Sequence, residues 1–196
     1  MLQGSAPSSG FERGVVTIIH QGDCEVSGEE NVTFSTVLGS CVAACIRDVE
    51  ARVGGMNHFL LAEPSGVALD RYGASARYGA FAMEQLINMV LARGTGRKAN
   101  LQVKMFGGGM INAVLTDVGA KNIAFMRSFL AEEGYAIAGE DVGGTYARRV
   151  LFQPASGRAF VKRLDAVTGA NVVRSELTIA SRQSVPASDE IELFGP

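Results

Sequence analysis

The chain alternates between short apolar runs and polar, glycine-bearing breaks. Val15 to His20 reads VVTIIH, a run of β-branched residues that predicts a first strand. The polar stretch QGDCEVSGEEN follows and reads as a loop. Val32 to Leu38 predicts a second strand, which runs directly into Gly39-Ser40-Cys41. Val42 to Arg47 is apolar at almost every position. Over so few residues a period of 2 is not separable from one of 3.6, so strand and short helix both remain open. Arg52 to Leu61 predicts a strand broken by Gly54-Gly55, and glycine inside a strand marks a bulge or a close backbone approach.

Pro64-Ser65-Gly66 opens a loop to about Ala76. From Tyr78 to Arg93, Phe81, Leu86, Met89 and Val90 recur at helical spacing, and Gly94 suits the C-terminal cap. Leu101 to Phe106 alternates as a strand and ends in Gly107-Gly108-Gly109. Asn122 to Glu133 predicts a second amphipathic helix with Ile123, Met126, Phe129 and Leu130 on one side, stopped by Gly134. From Tyr135 to Leu164 the pattern predicts three short strands with turns at Gly143-Gly144 and Ser156-Gly157. This order predicts an α+β fold, a layered sandwich of mixed β-sheet with two main helices on one face. Residues 1–13 read as a tail, 14–164 as one domain and 165–196 as a C-terminal extension.

Composition changes this picture little but excludes several classes of function. A chain of 196 residues that is 47% hydrophobic suits one domain with a sizeable core. Its net charge of -2 supplies no electrostatic reason to bind nucleic acid or an anionic membrane. No apolar run approaches the ~20 residues of a membrane span. The N-terminus lacks a secretory leader, and three cysteines do not make a disulfide framework, so a cytoplasmic protein with reduced thiols is expected.

Two stretches carry candidate chemistry: STVLGSCVAACIRD at residues 35–48 and VGGMNHFLL at residues 53–61. A cysteine nucleophile needs a base, a group that orients the base, and donors for the oxyanion formed on attack at a carbonyl. Cys41 stands where a strand ends in a Gly39-Ser40 turn, which is able to aim backbone N–H groups at one point. If the two flanking strands pair, His58 comes near Cys41, and a hydroxyl at Ser35 or Thr36 then serves to hold the imidazole. Against this stands the plain alternative that Cys41 is a buried small hydrophobe and His58 a structural histidine. Cys24, Cys41, Cys45 and His58 lack the paired ligand spacing of a zinc site, so no metal is expected. The Gly107–Gly109 run lacks the lysine and hydroxyl of a P-loop and reads as a close-packed turn. His20 reads as structural or exposed, and Arg148 and Arg149 as a solvated strand face or a contact for an acidic partner.

LGSCVAACIRD followed by VGGMNHFLL resembles the signature of the CheD family, the chemoreceptor glutamine deamidases of bacterial chemotaxis. RYGAFAMEQLINMVLARG, LQVKMFGGGMI and GGTYARRVLFQPASGRAFVKRL resemble the same family in the same order, so the likeness spans about Val15 to Leu164. It implies catalytic Cys41 and His58 with a hydroxyl residue a few positions before the cysteine. In an ungapped match that residue is Ser35, with Thr36 the alternative. Gly39, Ser40, Gly107 and Gly108 are the expected oxyanion- or substrate-binding positions.

The resemblance further implies a fold similar to the catalytic domain of the cytotoxic necrotising factor toxins. It implies hydrolysis of receptor glutamine to glutamate through a cysteine thioester, with no cofactor. Methyl-accepting chemotaxis receptors are the implied substrates. Alternative roles are an adaptor that binds a CheC-type phosphatase and a methylesterase acting on receptor methyl-glutamates.

Overall fold

A computed structural model of the chain describes residues 14–61, 74–111 and 116–165. The expected tail at 1–13, nearly all of the loop at 64–76 and nearly all of the C-terminal extension lie outside the described residues. The elements, in order, are β1 (Val15–Ile18), β2 (Cys24–Ser27), β3 (Val32–Leu38), β4 (Val42–Asp48), β5 (Val53–Asn57), α1 (Ala74–Arg93), β6 (Leu101–Gly107), α2 (Thr116–Glu132), β7 (Ile137–Val142), β8 (Arg148–Gln153) and β9 (Arg158–Arg163). They form two mixed sheets: a four-stranded one ordered β1-β3-β8-β9 and a five-stranded one ordered β2-β5-β4-β6-β7.

The five-stranded sheet is the middle layer of three. Strand β4 shows why. Val42, Ala44 and Ile46 point one way, into a core with Met83, Leu86, Ile87 and Val90 of α1 and Met126 and Leu130 of α2. Cys41, Ala43 and Cys45 point the other way, into a second core with Phe34, Leu38, Val150 and Phe152 of the four-stranded sheet. A strand buried on both faces needs apolar residues at every position. That is the physical reason the run Val42 to Arg47 has no period of its own. Both helices cover the same side of the middle sheet, as the α+β sandwich reading expects; the second sheet on its other side was not foreseen.

Three expectations are corrected. The segment QGDCEVSGEEN is not all loop: it contains β2, antiparallel to β5, with Cys24 opposite Asn57 and Val26 opposite Gly55. It is an edge strand of four residues whose Glu25 faces outward, so only Val26 signals burial. Phe81 does not lie on the core face of α1: it is 63% exposed, while Met83, Leu86 and Val90 are fully buried. The third correction concerns Arg148, which is neither on a solvated face nor placed for a partner. Its guanidinium is buried and donates to the Asp141 carboxylate and the Gly143 carbonyl, tying the β7–β8 connection to the start of β8.

The glycines of β5 do mark a close approach. A Cβ on Gly55 would stand 2.6 Å from both Leu86 Cδ1 and Val26 Cγ2. Their absence lets α1 settle against the strand that leads to His58.

Candidate active site

Strand register brings Cys41 and His58 together. Cys45 pairs with Met56, and further along Val42 pairs with Phe59 through two backbone hydrogen bonds of 3.0 Å. Counting between those pairs sets Ala43 opposite His58. Cys41, two residues from Ala43, is then the diagonal neighbour of His58 on the same face, and such positions are within side-chain reach. That face is the one between the two sheets. Both residues are buried there, Cys41 at 0% and His58 at 7% exposure.

The ladder is irregular next to the histidine. Ala44 N–H donates to the Asn57 side-chain Oδ1 at 2.9 Å, and Asn57 Nδ2 donates to the Ala82 carbonyl of α1 at 2.9 Å. The His58 backbone is held instead by the β1–β2 turn: His58 N–H donates to the Asp23 carbonyl at 3.2 Å, and Gly22 N–H to the His58 carbonyl at 2.7 Å.

The hydroxyl that holds the imidazole belongs to Thr36. Its Oγ1 is 2.8 Å from His58 Nδ1 and 2.7 Å from the Ile19 carbonyl. A hydroxyl has one proton, and a carbonyl only accepts, so Thr36 donates to Ile19 and accepts from Nδ1–H. The Ile19 carbonyl also lies 3.5 Å from Nδ1, an acceptor that favours the proton on that nitrogen. The neutral imidazole therefore carries its basic lone pair on Nε2. The preference for Ser35 is corrected. Phe34 and Leu38 of β3 enter the core between the sheets, and strand alternation puts Thr36 on that face and Ser35 on the other. The signal was present in VTFSTVL: the two bulkiest apolar residues share parity with Thr36.

Residues 39–41 are fastened through three successive carbonyls. Gly109 N–H donates to Gly39 O at 2.7 Å, Asn122 Nδ2 to Ser40 O at 2.8 Å, and Gly108 N–H to Cys41 O at 2.7 Å. In a trans peptide the N–H points opposite to the C=O. The N–H groups of Ser40 and Cys41 are thus turned away from the glycine run and from α2. Gly107 and Gly108 have positive φ, 105° and 66°, and a Cβ on Gly107 would lie 2.2 Å from Cys41 O. Gly108 gives its N–H to the Cys41 carbonyl and so braces the turn, as a close-packed glycine run bordering the site would. In the sequence Asn122 stands only as the start of a predicted helix, with no role at the site. It is fully buried on α2, and its Oδ1 accepts from Leu61 N–H at 2.9 Å, so one amide joins the cysteine turn to the segment just beyond His58. Nothing marks it in one sequence except a polar residue on an apolar helix face.

One more side chain reaches the sulfur. Gln21, on the β1–β2 turn, sets its Oε1 3.6 Å from Cys41 Sγ. Burial raises the pKa of the Tyr78 phenol, and the negative charge of an ionised Cys41 raises it further. The other thiols are poor nucleophiles. Burial, aided by Glu25, pushes Cys24 up to about 11, and burial pushes Cys45 higher still despite Lys104. Cys24 faces α1, with Sγ 3.7 Å from Met89 Sδ, on the opposite side of the sheet from Cys41. Among the described residues no three His, Cys, Asp or Glu side chains gather as a metal-holding group. His20 is exposed.

The model of the family described as "CheD chemotactic sensory transduction" matches residues 60–163. A protein of Ruegeria sp. strain TM1040 named probable chemoreceptor glutamine deamidase CheD 1 is 44% identical over 95% of this chain and all of its own length. The chain belongs to the CheD family. A Caulobacter vibrioides relative named probable chemoreceptor glutamine deamidase CheD is 47% identical over 93% of this chain and 95% of its own. One from Rhizobium meliloti strain 1021 with the same name is 45% identical over 89% and 93%. The family model begins after His58, but the Ruegeria and Caulobacter matches leave too few residues outside to omit Cys41 and His58. Among solved structures, the Bacillus licheniformis hypothetical protein YfiH superposes with a TM-score of 0.41 at 12% identity, covering 68% of this chain and 62% of that one.

Proposed function

We propose that this CheD-family chain is a protein-glutamine deamidase that acts in the cytoplasm on chemotaxis receptors and uses Cys41 as its nucleophile. The observation that carries the mechanism is the Thr36–His58 hydrogen bond of 2.8 Å, which assigns the lone pair to Nε2 on the face that His58 shares with Cys41. The names of the relatives supply the substrate class.

His58 Nε2 accepts the proton of Cys41 Sγ, and the thiolate attacks the side-chain carbon of a substrate glutamine. The carbonyl electrons move onto oxygen, where backbone N–H groups of the 39–41 turn receive them. Collapse of this tetrahedral species expels ammonia, protonated by His58, and leaves a thioester. A water deprotonated by His58 then attacks the thioester. The second tetrahedral species releases glutamate and restores the cysteine, so the sum is glutamine plus water to glutamate plus ammonia. General base catalysis of this kind contributes about 10²–10⁴-fold. The product carries a negative charge where an amide stood. On a receptor helix that changes the electrostatics of helix packing and creates a carboxylate that is able to be methylated.

The test is mass spectrometry of a receptor cytoplasmic fragment after incubation, with ammonia release in parallel. A gain of about one mass unit at glutamine, lost in Cys41→Ala, is the expected result, the amide-to-acid change that acyl transfer predicts. Methanol release from a methylated fragment, with its glutamines intact, replaces the deamidase reading by an esterase one.

A further inference from the structure

The β1–β2 turn carries a group that this mechanism has not yet used. The turn is closed by Asp23 N–H donating to the His20 carbonyl at 3.0 Å and by His20 N–H donating to the Asp23 carboxylate at 2.9 Å. It is fastened to the base itself, through Gly22 N–H to the His58 carbonyl and His58 N–H to the Asp23 carbonyl. Gln21 rides on this turn, so its position is set by the same backbone that positions His58.

Its carboxamide is divided in an unusual way. Oε1 lies 3.6 Å from Cys41 Sγ, where it accepts from the thiol. Nε2 is buried, and among the described residues it has no acceptor. A buried amide donor without an acceptor is uncommon and needs an explanation. Here the reaction supplies one. Attack by Sγ converts the substrate carbonyl into an anionic oxygen bonded to the carbon that the sulfur has just joined. A Gln carboxamide already touching that sulfur is within reach of this oxygen. The terminal torsion of Gln is broad and roughly two-fold, so a half-turn presents N–H where Oε1 stood. A donor that gains its partner only after attack lowers the barrier instead of tightening substrate binding.

We infer that Gln21 is a catalytic oxyanion donor, its Nε2 acting beside the backbone N–H groups of the 39–41 turn on the oxygen of the tetrahedral species. The assignment rests on the deamidase reading and deepens it. In the resting protein the carboxamide accepts from the thiol; after proton transfer to His58 it turns and donates.

The experiment compares full-length wild type, Gln21→Met and Gln21→Glu on a receptor fragment, by ammonia release, together with the pH profile of Cys41 alkylation by iodoacetamide. Gln21→Met keeps most of the volume without the donor; Gln21→Glu keeps the shape and replaces the donor by an acceptor. Loss of one oxyanion donor is expected to lower kcat by about 10²–10³-fold. KM is expected to stay within about threefold, because the bond exists only after attack. In Gln21→Met the alkylation profile is expected to keep its shape and shift slightly, toward lower pH, since His58 still makes the thiolate and the thiol loses only its Oε1 acceptor. Both variants are expected to melt near wild type, because backbone bonds and Asp23 close the turn. Unchanged kcat in either variant overturns the assignment. So does a rise in both kcat and alkylation rate in Gln21→Met, which makes Gln21 a cover over the thiol. A one-unit mass gain at Gln21 itself, dependent on Cys41, also overturns it by making Gln21 a substrate. A wild type that leaves receptor glutamines intact overturns the deamidase reading and this assignment together, whereas an active wild type with equally active variants sinks the assignment alone.

Discussion

Thr36, on β3 of the four-stranded sheet, and His58, just beyond the end of β5 in the five-stranded sheet, meet through one hydrogen bond, Oγ1 to Nδ1 at 2.8 Å. Because Thr36 also donates to the Ile19 carbonyl, it is able only to accept from the ring, and the ring is held in one tautomer. Thr36→Val keeps the branched shape and removes this acceptor. It is expected to lower kcat on a receptor fragment by about 10–100-fold, or ~1.4–2.8 kcal/mol of transition-state stabilisation. Ser35→Ala, on the opposite face of β3, is expected to change kcat by less than about threefold. Steady-state rates in the reverse order would move the orienting role back to Ser35.

The three thiols should separate by reactivity. Cys24 is held near 11 by burial and Glu25, and burial pushes Cys45 further up, so neither forms much thiolate at neutral pH. Partial alkylation at pH 7 followed by peptide mapping is expected to label Cys41 first. Cys41→Ala should abolish deamidation, while Cys24→Ser and Cys45→Ala should retain most of it. Preferential labelling of Cys24 would contradict the assignment of the nucleophile.

Asn122 is expected to act as a positioning residue. Asn122→Asp retains an oxygen for Leu61 N–H but places a second oxygen where Nδ2 donated to Ser40 O. A buried carbonyl left without its donor costs about 1–3 kcal/mol. The expected result is a lowered urea midpoint together with kcat reduced by at least about tenfold in the folded protein, a barrier increase of ~1.4 kcal/mol or more. Full kcat with only the midpoint lowered would show that the Ser40 bond serves stability alone.

Asp48 links stability to pH. Burial acts to raise its pKa, but it is overcome by donors from Ala51 N–H, the Thr95 hydroxyl and N–H, and Glu50 N–H, so the folded value lies below the ordinary one. For a carboxylate with a depressed folded pKa, the stabilisation is present above the unfolded value of ~3.9 and is lost as pH falls through the folded value. Asp48→Asn is expected to cost about 1–3 kcal/mol at pH 7, where the Thr95 N–H and hydroxyl meet an amide NH2 in place of the carboxylate oxygen Oδ2. The gap to wild type should narrow as pH drops below about 4. Urea midpoints of both proteins from pH 7 to pH 3 check the sign; a gap that widens on acidification would contradict it.

Much of the architecture was legible because it depends on local pattern. The strand at Val32–Leu38, the helical stripes carrying Leu86 and Val90 and carrying Met126 and Leu130, and the three closing strands follow from spacing. Strand β2 was hidden because an edge strand of four residues buries little. Phe81 misled because helical spacing alone does not say which flank of a stripe meets the core, and this ring ends 63% exposed.

The sequence by itself determined the candidates: a cysteine after a Gly-Ser turn, a histidine at the end of a returning strand, and two adjacent hydroxyls. Those are properties of short segments, set by residue type and by turn chemistry within a few positions. Only the tertiary structure decided which hydroxyl holds the histidine, because that depends on which face of β3 meets the other sheet. It also decided that Asn122 ties Ser40 to Leu61, and that Gln21 lies against Cys41, because those contacts join segments far apart in the chain. Residues so separated meet only when two sheets and a helix layer pack together, and no single window of sequence contains both partners.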